Sequence, residues 1–117
     1  MGYESRVIIA RRFSGSEYAE DIAEMKLGKV SDGFLQLFRV EYDGKFFDFY
    51  GCDAQITQDK YGKPLTYASF DRVYEWLVMN VQEANYRRYN MLLALMQEVR
   101  NGWAGDTEDF VLIHYGY

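Results

Sequence analysis

Val7-Ile8-Ile9 sets three β-branched residues in a row, between Ser5-Arg6 and Ala10-Arg11-Arg12. An apolar run without alternation suits a strand covered on both faces, so residues 5–12 read as a central strand. Phe13-Ser14-Gly15-Ser16 is a turn. Residues 17–30 admit two readings. Ser16 could cap a helix from Glu17 to Glu24. Alternatively, Ala23, Met25 and Leu27 alternate with Glu24, Lys26 and Gly28 at strand spacing. The strand, around 21–28, is preferred, and it makes a hairpin with the first.

Ser31-Asp32-Gly33 offers a cap for a short helix over Phe34–Phe38. Tyr42-Asp43-Gly44-Lys45 carries an Asp-Gly turn signal, with a strand from Phe46 to Gly51 after it. A second hairpin is expected at 54–67, turning at Tyr61-Gly62-Lys63-Pro64. Ser69 then caps the clearest helix, with Val73, Leu77, Val81 and Ala84 on one face. A second stripe runs through Leu92, Leu95, Met96 and Val99. No Gly or Pro lies between Ser69 and Gly102. Typical helix lengths therefore place a break near Asn85–Asn90. Asn101-Gly102 is expected to end the second helix in a left-handed cap. The last strand, 109–115, is again apolar on both faces.

Strands and helices are segregated along the chain, which predicts an α+β fold: a mostly antiparallel sheet packed against two C-terminal helices. The first and last strands are the most apolar, so they are expected to be central neighbours. At 117 residues, without repeats or linkers, the chain reads as a single domain, 1–117.

Composition adds a sign of charge and removes several chemistries. Net charge is −5, which disfavours direct binding to a phosphate backbone and suits contact with a basic protein surface. Cys52 is the single cysteine, so no internal disulfide forms and a reducing, cytoplasmic compartment is expected. The N-terminus lacks a signal core, and Arg6 breaks the myristoylation pattern. No apolar run is long enough for a membrane span. There is no GxGxxG or GxxxxGK[ST] phosphate loop, no zinc spacing and no calcium loop around Asp53 and Asp59. No cofactor or metal is implied.

His114 is the single histidine, on the strand face of Phe110 and Leu112. A structural or edge place is expected for it, because an Asp or Glu close in sequence would point elsewhere on the strand. Asp48 with Asp53, and Asp106 with Glu108 and Asp109, are the paired-carboxylate candidates for acid–base work. Solvated loop charge is their ordinary role. Arg11-Arg12 and Arg87-Arg88-Tyr89 are the main basic groups, read as cover for exposed ends.

The sharper candidate is an acidic surface. Glu17, Glu20, Asp21 and Glu24 form one cluster; Glu41, Asp43, Asp48 and Asp53 form another, interleaved with Tyr42, Phe47, Phe49 and Tyr50. Carboxylates spaced among exposed rings can occupy a groove built for nucleic acid, replacing phosphates and bases. The competing expectation is a solvated strand face with its rings in the core.

Gly2-Tyr3-Glu4-Ser5-Arg6 and Ile113-His114-Tyr115-Gly116-Tyr117, with Ile56–Gly62 and Val73-Tyr74-Glu75-Trp76-Leu77, give a resemblance spanning almost the whole chain. The chain resembles small uncharacterised proteins encoded by phages and prophages of Gram-positive bacteria. That resemblance implies a phage accessory protein, anti-CRISPR proteins being one such kind. It carries over no site residue. The leading expectation is a non-enzymatic inhibitor of a host nucleic-acid enzyme, acting in the host cytoplasm. The alternative is a small-molecule binder or small enzyme, its pocket lined by Tyr and Trp with Asp53 or His114. A third is a homo-oligomer joined through an exposed sheet edge.

Overall fold

The structure, a computed structural model, describes residues 4–12, 18–41, 45–46, 58–80, 87–103 and 106–116. Strand β1 (Ser5–Arg12) and strand β2 (Tyr18–Gly28) form the expected antiparallel hairpin, β2 starting three residues earlier than its alternation indicates. Helix α1 (Asp32–Leu35) follows, capped by the Ser31 hydroxyl, which accepts from the Phe34 N–H. Strands β3 (Val40–Glu41), β4 (Lys45–Phe46) and β5 (Thr66–Ser69) are short. Helices α2 (Phe70–Asn80) and α3 (Arg87–Gly102) precede the last strand, β6 (Phe110–Gly116).

The sheet order is β3-β5-β6-β1-β2-β4. All its pairings are antiparallel except β2 with β4. The fold is α+β, with two helices in the C-terminal half. β1 and β6 are central neighbours, paired from Ser5↔Gly116 to Arg11↔Phe110. Their place follows from their composition: a strand apolar on both faces gains most where both faces are covered.

One face lies under the helices. Val7, Ile9, Phe110 and Leu112 point there and pack with Leu77, Leu92 and Met96. Phe34 is the hub of its aromatic part, within 5.5 Å of the rings of Phe38, Trp76 and Tyr89. The Tyr89 hydroxyl also accepts from the Ser31 N–H at 3.0 Å, tying α3 to the cap of α1. The opposite face carries a narrower cluster of Ile8, Ala10, Leu65, Val111 and Ile113, flanked by Tyr67 and Tyr115.

Two local expectations change. Gly102 stays inside α3, and its backbone is not left-handed; the positive φ values among the described glycines belong to Gly28 and Gly62. The helix does end at Gly102, as expected, but with the Trp103 N–H closing its last turn onto the Val99 carbonyl rather than with a left-handed glycine. The later part of the expected break, residues 87–90, is already helical, and Tyr89 is one of the buried anchors of α3; residues 81–86 lie outside the described residues. Of the 54–67 hairpin, the described part is the Gln58↔Pro64 bridge around a turn with Gly62 at φ 77°. Ala54 and Ile56 lie outside the described residues, as do Cys52 and Phe47–Gly51 of the expected strand after the Asp-Gly turn.

Candidate functional site

The acidic cluster on β2 is divided by the sheet. Residues facing each other across a ladder share a face. Glu20 lies opposite Arg11, and Arg11 opposite Phe110, so Glu20 is on the helix side. Asp21 lies opposite Ala10 and Glu24 opposite Ile8, which puts both on the other face. Strict alternation would separate residues 21 and 24. An irregularity between Ile9 and Ala10 leaves Ile22 as the extra residue and brings them together. Sequence reading missed this because a bulge has no signature in the β2 pattern.

Glu24 is not a free charge. It pairs with the Arg6 Nε at 2.8 Å, and both side chains are mostly covered. The approach is off the N–H axis, so the pair is Coulombic rather than a directed hydrogen bond. The Arg6 guanidinium also lies 5.4 Å from the centre of the Tyr115 ring. Glu24, Arg6 and Tyr115 thus form a row across β2, β1 and β6. Glu41 sits in β3 opposite Thr66. Glu17, Tyr42, Asp43, Asp48, Tyr50 and Asp53 lie outside the described residues.

A different acidic corner is assembled by the fold. The Thr107 hydroxyl donates to Asp71 Oδ1 at 2.8 Å, fastening the loop before β6 to the first turn of α2. Asp71, Asp106, Glu108 and Asp109 are all exposed around this buried threonine. Asp71 is stable there because a carboxylate complements the positive end of the helix dipole. Next in sequence to Asp71 and Asp109 are the buried rings of Phe70 and Phe110, 6.0 Å apart, with partly exposed Trp103 edge-on to Phe110 at 5.0 Å. From sequence, residues 106, 108 and 109 are candidates for acid–base work only; Asp71 is brought to their loop by a bond spanning 36 positions, which no local pattern announces.

His114 is internal rather than at an edge. Its Nε2 is 2.7 Å from the Ser5 hydroxyl, and its ring lies 5.5 Å from Phe38. Burial lowers its pKa below the ordinary histidine value, while the negative charge of Asp59 opposes that shift. Asp59 is fixed by its own turn, where Oδ1 accepts from the N–H groups of Tyr61 and Lys63. Serine beside histidine, with an aspartate acting on the ring, is the atom set of a nucleophile and its base. A nucleophile must also meet substrate. Ser5 is 1% exposed and His114 7%, so this pair has a packing role in the structure described.

One depression opens at the outer side of β2. It measures about 510 Å³ and is lined by Glu4, Glu24, Met25, Lys26, Arg88 and Met91. The described tryptophans and Tyr89 are packed against other rings: Trp76 meets Tyr89 edge-on at 5.4 Å, and Trp103 meets Phe110. Among the described residues no group of three or more His, Cys, Asp or Glu is arranged to hold a metal. Among them, too, no helix is long and apolar enough to cross a membrane. The chain matches no protein-family model, no curated protein and no solved structure.

Proposed function

We propose that this chain is a non-enzymatic binding protein, a phage-encoded inhibitor of a host nucleic-acid defence enzyme of the CRISPR type, acting in the host cytoplasm. The observation that carries the reading is the acidic corner, where the Thr107 hydroxyl holds Asp71 beside the loop that bears exposed Asp106, Glu108 and Asp109. An enzyme that handles nucleic acid lines its channel with Lys and Arg, and often with stacking rings. Clustered carboxylates offer such a channel the charge of phosphates without a bond to cut. The overall charge of −5 works in the same direction by steering the encounter. Glu41, Tyr42, Asp43, Asp48, Tyr50 and Asp53 remain in the proposal on their sequence alone, and Glu20 and Asp21 as neighbouring charge.

The test is inhibition of purified, guide-loaded CRISPR effectors in a target-cleavage assay. Inhibition by the native chain is expected. A Glu108→Lys, Asp109→Lys double variant is expected to lose at least about tenfold in potency, since several like-charge contacts replace attractive ones. An Asp43→Lys, Asp48→Lys variant reports separately on the 41–53 segment. Absence of inhibition across effector types would sink the proposal. Undiminished inhibition by the Glu108, Asp109 variant would remove this corner from it.

A further inference from the structure

We propose that two copies of this chain pair edge to edge through β2, antiparallel about a twofold axis at Met25. Among the described strands, β4 meets the outer side of β2 at Tyr18 and Ala19. Further along, beside Glu24–Lys26, that side opens into the depression described above. There the Lys26 carbonyl points outward and accepts from Arg88 Nη1 at 3.3 Å. An arginine from the helix layer thus occupies the position a neighbouring strand would take.

The sequence at this point is complementary to itself. In an antiparallel pair centred on Met25, Glu24 falls opposite Lys26 of the second copy, and Lys26 opposite its Glu24. Both side chains lie on the sheet face away from the helices. Opposite charges therefore meet twice, once on each side of the axis, and each such cross-strand pair favours the register. Sliding the register by two residues about the axis would lose both pairs. On the helix side Met25 meets its own copy, and Met91, 61% exposed on α3, borders the same opening. Apolar contact thus lies on one face of the joint and paired charge on the other.

The hydrogen bonding agrees with this register. Because the Lys26 carbonyl points outward, Glu24 and Lys26 of the second copy would form the bonded pair. The Lys26 carbonyl would exchange Arg88 for the Glu24 N–H of the second copy. Met25 is then the non-bonded pair at the axis, where Cα atoms approach to about 4.5 Å. The product is one continuous sheet built from two six-stranded ones. A twofold contact of this kind closes on itself and leaves neither copy's β2 available for further addition.

The geometry gives a register-specific test. A Met25→Cys, Cys52→Ser variant places one thiol on each side of the axis, within disulfide reach. Air oxidation is expected to give a covalent dimer. An Ala23→Cys, Cys52→Ser variant falls opposite Leu27 of the second copy and is expected to cross-link far less. The unmodified chain should sediment as a dimer that Lys26→Glu weakens about tenfold or more, two attractive pairs having become repulsive. A single-chain mass at every concentration from micromolar to millimolar would overturn the proposal. So would equal cross-linking by the two cysteine variants, which would show contact without this register.

Discussion

The two faces of the sheet draw on the same strands and yet are built differently. Under the helices, Val7, Ile9, Phe110 and Leu112 meet large rings and long aliphatic side chains in a thick layer centred on Phe34. On the other face, Ile8, Ala10, Val111 and Ile113 form a narrow aliphatic strip with Leu65 at its margin. That strip ends abruptly at Arg6, Glu24 and Tyr115, where an ion pair and a ring meet the solvent boundary. Depth of apolar cover is thus the main source of stability on one side. On the other, a thin strip is held between polar margins, and its charged edge is left for contact.

This difference has measurable consequences. Phe34→Ala is expected to cost about 3–5 kcal/mol in urea or thermal unfolding, because the ring is fully buried and contacts three others. Ile113→Ala, equally buried on the thin face, is expected to cost about 2–3 kcal/mol. If Ile113 proved the costlier of the two, the ranking of the faces would reverse.

A pH effect comes next. The folded state holds His114 with a lowered pKa, through burial, so it favours the neutral ring. Its contribution is complete above the unfolded value near 6.5 and is lost as pH falls below it. Between pH 7.5 and 5.5 the loss is bounded at about 1.4 kcal/mol, the linkage limit for one proton. His114→Gln should flatten the unfolding midpoint over that window. An unchanged pH slope in the variant would assign the effect elsewhere.

The smallest expected effect is that of Glu24→Gln. The exchange should cost no more than about 1 kcal/mol, and less at high salt, because the pair retains some contact with water. A loss comparable to that of Ile113→Ala would mean that the margin, not the strip, stabilises the thin face.

Much of this architecture was legible in the chain. Val7-Ile8-Ile9 and Val111-Leu112-Ile113 lack alternation, which is the mark of strands covered on both sides, and they do lie together at the centre. Ser31 and Ser69 announced their caps; the Ser69 hydroxyl accepts from the Arg72 N–H. The end of α3 at Gly102 was legible, but the conformation of its cap was not, since a glycine can stay helical when its last turn is closed by a regular hydrogen bond. Neither was the extra residue at Ile22, whose cause lies in the register with β1. The acidic–aromatic segment 41–53 lies outside the described residues except for Glu41, Lys45 and Phe46. Spacing gathers residues 106–109, but only the Thr107–Asp71 bond brings in the helix terminus.

The β1–β6 ladder also bears on how the protein is made. It joins Ser5 to Gly116, so the sheet's middle seam links the earliest described strand to the latest. During translation the β1–β2 hairpin emerges long before its neighbour and carries apolar residues on both faces meanwhile. Pairing of such distant segments is slow, because a long loop must close before the contact is gained. From the emergence of β2 until that of β6, β1 is a bare edge. Arg11 and Arg12 at the end of β1 put charge on that waiting edge, which disfavours pairing with the wrong strand.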